Sequence, residues 1–277
     1  MEQYLDLSKG KLRLLKIGEG PRLMLGLHGF AQTADYFQYF APDFFRHFTL
    51  YAIDLPFHGK TIWQHYTYDQ TDVLEWVQLI LQKENEQKCY LIGHSLGARI
   101  WLSCLPQLQS RITAACLLAP DGLVTKHMSL PELMPTWGRR VLARGLKNPG
   151  WLLRMANWLH QQKMLSAFSN KYLQYHFKSK ERQARLLKTW QALGNFNVNL
   201  NVLRKSLALN SQMNLSVILG EDDPLIPADQ FQKVAKTIPE MEVIMLPYGH
   251  QLINKEVVKT LIRWTVGENE SGAGLAK

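Results

Sequence analysis

Residues able to do nucleophilic chemistry lie in separate segments of the chain: a serine at 95, carboxylates at 121, 222 and 223, and a histidine at 250. Ser95 is set in Gly93-His94-Ser95-Leu96-Gly97, after the apolar run Cys89-Tyr90-Leu91-Ile92 and before Ala98-Arg99-Ile100-Trp101-Leu102. That is the pattern of a strand, a tight turn and a helix. A turn this sharp crowds the positions on either side of the serine, so both must be glycine or very small. The hydroxyl then stands at a helix N-terminus, where backbone N–H groups and the positive end of the helix dipole favour a developing oxyanion. A serine that merely capped the helix would account for the hydroxyl but not for the two glycines.

Three more segments supply partners. Residues 23–27 read as a buried strand ending in His28-Gly29-Phe30, where the glycine lets the chain turn and offers the Phe30 N–H as an oxyanion donor beside that of Leu96. Residues 215–219 read as another strand, and Asp223 follows within Gly220-Glu221-Asp222-Asp223-Pro224-Leu225-Ile226-Pro227. Residues 242–246 read as a strand before Pro247-Tyr248-Gly249-His250, which puts an imidazole in the loop ahead of the last helix. In this arrangement His250 takes the Ser95 proton and a carboxylate holds the imidazole in the right tautomer. Asp223 ranks first for that role, with Asp121 and then Asp222 as alternatives. His28 reads as a structural histidine behind the oxyanion turn, and His94 as a residue that shapes the pocket beside Ser95.

Together with Asp54-Leu55-Pro56-Phe57-His58-Gly59-Lys60, these segments resemble the α/β-hydrolase superfamily over residues 4–266, in the chain order Ser, Asp, His. The resemblance implies an α/β-hydrolase fold, a mainly parallel sheet flanked by helices with a helical lid insertion. It also implies a serine hydrolase that works through an acyl-enzyme on carboxylic esters or thioesters of a small apolar or lipid-like acyl group, with no metal or organic cofactor. The chain departs from the family at Phe57, where members often carry glycine. Two other activities occur on this fold. One is elimination or C–C hydrolysis of an anionic substrate, as in the menaquinone-pathway synthase, whose substrate-holding Arg corresponds to Arg99. The other is ligand reception with little turnover.

The elements needed to position these residues are legible. Residues 5–7 and 12–17 suggest an opening hairpin, and 50–53 and 112–118 further strands. Helical spacing runs through 34–45, 69–83, 96–105, 227–237 and 252–264. Continuous apolar strands alternating with helices imply a mainly parallel sheet covered on both faces. Residues 1–120 and 196–266 form the expected core, 121–195 the lid, and 267–277 a disordered tail.

Composition sets the remaining bounds. The chain has 277 residues, 46% hydrophobic and 20% charged, enough for a large core. Cys89, Cys104 and Cys116 are too few and too poorly spaced for a disulfide framework or zinc site, and read as buried thiols. The first residues lack a basic run ahead of an apolar core, and no apolar run approaches membrane-spanning length, so the expected location is cytoplasmic.

Charge is concentrated in the lid. Residues 121–195 hold thirteen basic and three acidic side chains, net +10 against +9 for the whole chain. A solvated basic face is the plainest account. Attraction of an anionic substrate, or a weak contact with an anionic membrane surface, is the functional one. No nucleic-acid-binding motif accompanies the charge. Trp137, Trp151 and Trp158, interleaved with Leu152, Leu153 and Leu159, read as core and as lining of an apolar acyl or aryl pocket that holds the substrate.

Overall fold

The computed structural model describes residues 1–40, 42–123, 137–138, 144, 146, 148–165, 167–209 and 213–266. The described strands are β1 (Glu2–Leu7), β2 (Gly10–Ile17), β3 (Arg22–Leu27), β4 (Phe48–Ile53), β5 (Ile62–Trp63), β6 (Cys89–His94), β7 (Ile112–Leu118), β8 (Asn214–Gly220) and β9 (Met241–Leu246). They form one sheet in the order β1-β2-β4-β3-β6-β7-β8-β9, with β5 beside β2. The β1–β2 and β2–β4 pairings are antiparallel, as the expected hairpin requires, and every pairing from β4 through β3 to β9 is parallel. Parallel strands buried on both faces need unbroken apolar runs. Met24, Leu25, Leu91, Ile92, Leu117, Leu118 and Val217 supply them and are all buried.

The flanking helices of the sheet are α1 (Pro42–His47), α2 (Gln70–Lys83), α3 (Leu96–Leu108), and, later in the chain, α7 (Leu200–Leu209), α8 (Ala228–Ala235) and α9 (Lys255–Val266). In α2 the Asp69 carboxylate accepts the N–H groups of Thr71 and Asp72, and Asp72 reaches back to the Asp69 N–H, a reciprocal cap that fixes where the helix starts. Val73, Trp76, Val77, Ile80 and Leu81 then recur at helical spacing and are buried.

Three expectations change. The single helix over 34–45 is two pieces, a 3-10 turn (Ala34–Tyr39) and α1, with Phe40 extended between them at φ −66° and ψ 145°. Pro42 explains the break, because it lacks an N–H and disfavours helical backbone before it. The helix after Ser95 runs past Pro106 to Leu108; in a last turn the proline costs little beyond one backbone hydrogen bond. Helix α7, over Leu-Asn-Val-Leu-Arg-Lys-Ser-Leu-Ala-Leu, was not anticipated.

Contacts divide the chain into two compact units. The first comprises Met1–His65, Asp69–His127 and Phe196–Lys277, and the second Tyr66–Tyr68 and Met128–Asn195. The second unit contains α4 (Gly150–Gln161), α5 (Ala167–Phe177) and α6 (Lys180–Leu193). Its inclusion of Tyr66–Tyr68 has a direct cause: the Asn195 amide donates to Thr67 Oγ1 at 3.0 Å and to the Tyr68 carbonyl at 2.8 Å. Ser169-Asn170, expected to interrupt a helix, lies inside α5, where Asn170 Nδ2 donates to Asn157 Oδ1 of α4 at 3.1 Å. The expected disordered tail, 267–277, falls outside the described residues.

Candidate active site

The turn between β6 and α3 holds Ser95 at φ 50° and ψ −110°, a left-handed backbone that costs a non-glycine residue on the order of 1–3 kcal/mol. The surrounding sheet maintains it: the Ser95 N–H donates to the Leu118 carbonyl at 2.8 Å, and the Ser95 carbonyl accepts from Arg99 N–H at 3.0 Å. The flanking glycines are sterically required. A Cβ at Gly93 would lie 2.7 Å from Ala98 Cα and N, and one at Gly97 would lie 2.1 Å from the Leu27 carbonyl oxygen. Ser95 occupies the cap position of α3, yet its side chain makes no cap hydrogen bond. The role of a simple helix cap is thereby removed. Leu96 opens α3, so its N–H belongs to the first turn, which has no partner within the helix.

Asp223 lies past the end of β8 with its side chain fully buried. One oxygen, Oδ1, accepts the N–H groups of Leu225 at 2.8 Å and Ile226 at 3.1 Å. The other, Oδ2, lies 2.7 Å from His250 Nδ1. Burial pushes the Asp223 carboxyl up, but the hydrogen bond and charge of His250, with the two backbone donors, outweigh it and hold the group below its ordinary value. The geometry therefore brings Asp223 to His250. The two alternatives stand elsewhere: Asp222 is exposed, and Asp121 Oδ2 lies 3.5 Å from Arg99 Nη1.

His250 is tied to the serine turn through its neighbour. Its carbonyl oxygen lies 2.9 Å from His94 Nε2, and the two rings are 5.1 Å apart between centroids. His94 is buried, with Nδ1 2.9 Å from Gln32 Oε1. Burial pushes its pKa down from 6.5 to about 4, so the ring is neutral near pH 7. Protein atoms lie against both ring nitrogens of His94. Arg99 is likewise engaged by protein atoms. It is buried in α3, its Nε donates to the Phe196 carbonyl at 3.1 Å, and Asp121 lies at its other edge. A guanidinium committed in this way is part of the packing between α3, the strand end at Asp121 and the start of the segment leading to α7, not a surface cation awaiting a ligand.

His28 is buried with Nδ1 2.8 Å from the Gly29 carbonyl, and its Nε2 accepts the Leu55 N–H at 3.1 Å. It ties the Gly29 turn to the Leu55 backbone, and that turn carries Phe30, half-buried, with its ring 5.7 Å from that of His58. The Asp54 motif is structural too: its carboxylate accepts the N–H groups of Ala34 at 2.6 Å and Lys60 at 2.8 Å and pairs with buried Arg13 at 3.1 Å. Phe57, the departure from the family pattern, has φ 70°, the backbone region that favours glycine.

The tryptophans of the second unit are not core residues. Trp137, Trp151 and Trp158 are 71%, 49% and 56% exposed, and the last two share a face of α4 with exposed Met155. Their leucine neighbours do not bury them. Cys89, Cys104 and Cys116 are free and buried, and burial pushes the first two thiols up to about 12 and the third higher still. Among the described residues no cluster of His, Cys, Asp and Glu fits a metal ion, and no helix is long and apolar enough to cross a membrane. Gln32, Tyr36 and Gln251, which surround His94 and His250, were not singled out from sequence. Their only signal was nearness in the chain to Gly29-Phe30 and to His250.

Comparison with known proteins agrees with this architecture. An esterase from Thermogutta terrifontis superposes with a TM-score of 0.66 at 16% identity, covering 95% of this chain and 97% of the other. The thioesterase domain from the curacin biosynthetic pathway gives 0.64 at 15% identity, covering 94% and 97%. By sequence, a pimeloyl-[acyl-carrier protein] methyl ester esterase of Proteus mirabilis is 24% identical over 45% of this chain and 46% of its own length. The chain spans less than half the length of the curated relatives it matches. The family model for the alpha/beta hydrolase fold matches residues 22–254, and the chain belongs to that family.

Proposed function

We propose that the chain is a serine hydrolase that cleaves carboxylic esters or thioesters of small apolar or lipid-like acyl groups. The observation that carries the reading is the 2.7 Å contact between His250 Nδ1 and Asp223, in a loop hydrogen-bonded to the residue beside Ser95. Ser95 Oγ attacks the carbonyl carbon as His250 takes its proton on Nε2. Asp223 holds the imidazole in the tautomer with Nδ1 protonated and stabilises the imidazolium that forms. The N–H groups of Phe30 and Leu96 receive the oxyanion, and losing one such donor costs about 3 kcal/mol of barrier. His250 then protonates the departing alcohol or thiol. Water attacks the acyl-enzyme with His250 again as base, releasing the acid and restoring Ser95.

In this reading residues 121–195 act as a lid that selects the acyl group, and their excess of basic charge favours an anionic substrate or an anionic lipid surface. The name of the Proteus mirabilis relative supports an ester as the bond cleaved. Elimination on an anionic substrate loses its main support, since Arg99 is engaged by Asp121 and the Phe196 carbonyl. The test is a chain-length series of p-nitrophenyl esters with matched acyl thioesters. Turnover with an optimum chain length is expected. Absence of turnover across the series by folded protein would contradict the proposal and favour a ligand receptor.

A further inference from the structure

The turn that carries one proposed oxyanion donor grips the loop that carries the proposed base. Gln32 lies three residues after Gly29, and its Oε1 accepts the Gly29 N–H at 2.7 Å. The same oxygen lies 2.9 Å from His94 Nδ1, while Gln32 Nε2 donates to Gln251 Oε1 at 3.3 Å. Tyr36, four residues further on, donates its hydroxyl to Gln251 Oε1 at 2.9 Å, and its ring lies 5.1 Å from that of His94. His94 Nε2 lies 2.9 Å from the His250 carbonyl oxygen.

We infer that Gln32 is a positioning residue that holds the His250 loop in register with the turn at Gly29, acting through Gln251. This rests on the serine-hydrolase reading of the site. Asp223 fixes the His250 ring from the side of Nδ1 but leaves its backbone free to slide or tilt. The hydrogen bonds from Gln32 and Tyr36 to the next side chain, Gln251, supply the missing restraint. Proton transfer from Ser95 and capture of the oxyanion occur in one transition state, so base and donor must be placed relative to each other as well as to substrate. A displacement of about 1 Å in such a site costs on the order of 100-fold in rate.

The chemistry of the bridge explains why an amide serves. A neutral imidazole has one N–H while Gln32 Oε1 and the His250 carbonyl both only accept, so His94 donates to one of them and does not bridge the two. The amide meets two needs at once, its oxygen accepting the Gly29 N–H and its nitrogen donating to Gln251 Oε1; an alkyl chain meets neither.

The experiment compares Gln32→Met, Gln251→Met and the double variant in the full chain, with active sites counted by fluorophosphonate titration. Methionine keeps the length of glutamine and removes the hydrogen bonds. The expected result for Gln32→Met is a fall in kcat per titrated site of about tenfold or more, with KM within about twofold. The double variant should fall little further than the worse single variant, because both cut one bridge. Tyr36→Phe, which removes only a hydroxyl, should give a smaller fall of the same kind. A kcat within about twofold of the parent, a loss confined to KM or to melting temperature, or fully additive losses would overturn the inference. Ser95→Ala separates the two readings: if it retains hydrolysis the serine assignment fails, whereas an inactive Ser95→Ala beside an unaffected Gln32→Met removes the bridge alone.

Discussion

His250 Nδ1 and Asp223 Oδ2 stand 2.7 Å apart across 27 residues of sequence, joining the loop after β9 to the loop after β8. The neighbouring carboxylate, Asp121, is 3.5 Å from the Arg99 guanidinium. Two acids near one end of the sheet therefore have different partners, and their substitutions should separate. Asp223→Asn keeps shape but favours the wrong histidine tautomer, and kcat should fall by about four orders of magnitude with little change in melting temperature. Asp121→Asn removes the carboxylate 3.5 Å from the buried Arg99 guanidinium and should lower stability by about 2 kcal/mol with a much smaller loss of kcat. Steady-state kinetics beside chemical denaturation checks both, and a larger kcat loss from Asp121→Asn would reverse the assignment.

Gly97→Ala tests the serine turn itself. The added methyl would meet the Leu27 carbonyl oxygen at 2.1 Å and its carbon at 2.4 Å, and strand backbone, unlike the end of a flexible side chain, has little room to adjust. The expected cost exceeds about 3 kcal/mol, read as loss of folded protein or a displaced turn with no probe labelling. A variant with parental stability and activity would show that the turn has room the geometry denies it.

Stability should decline on mild acidification, and His94 gives the reason. Its folded pKa is about 4 against an ordinary 6.5, so between these values the unfolded chain binds a proton that the folded chain does not. Stability then falls as pH drops from 6.5 towards 4 and is independent of this group above 6.5, a loss on the order of 3 kcal/mol by the lower limit. Asp223 acts in the same direction. Its depressed pKa contributes stability above the ordinary carboxylate range that is lost as pH falls through the folded value. Melting temperature measured from pH 7 to 4.5 should decrease, and His94→Gln should flatten the curve above pH 5.

Much of this site was legible in sequence because its chemistry is tied to local backbone rules. Gly93 and Gly97 announce a turn that no larger residue fits, and the strands at 89, 215 and 242 are apolar runs whose ends locate Ser95, Asp223 and His250. The partners of Arg99 and His94 were not legible for one reason. Residue type and helical position cannot say that the Phe196 carbonyl and Asp121 come to Arg99, or that Gln32 and the His250 carbonyl come to His94. Those partners are remote in sequence. The tryptophans of α4 failed differently: apolar character was taken for burial, yet Trp151, Met155 and Trp158 recur on an exposed face.

The basic charge of residues 121–195 should act on substrate capture rather than on chemistry. Attraction over tens of ångströms is screened by salt, with a Debye length of about 10 Å at 0.1 M. For an anionic ester, raising ionic strength should reduce kcat/KM more than kcat, and a neutral ester of similar size should respond little. Equal salt dependence for the two esters would reduce the charge to a solvated face.

The most direct measurement is labelling by a fluorophosphonate probe, with the modified residue located by mass spectrometry. A serine activated by His250 should take the probe at Ser95, and both Ser95→Ala and His250→Ala should abolish labelling while leaving the fold intact, as circular dichroism would report. Labelling of another residue, or undiminished labelling of the Ser95→Ala protein, would contradict the assignment of Ser95 as the nucleophile.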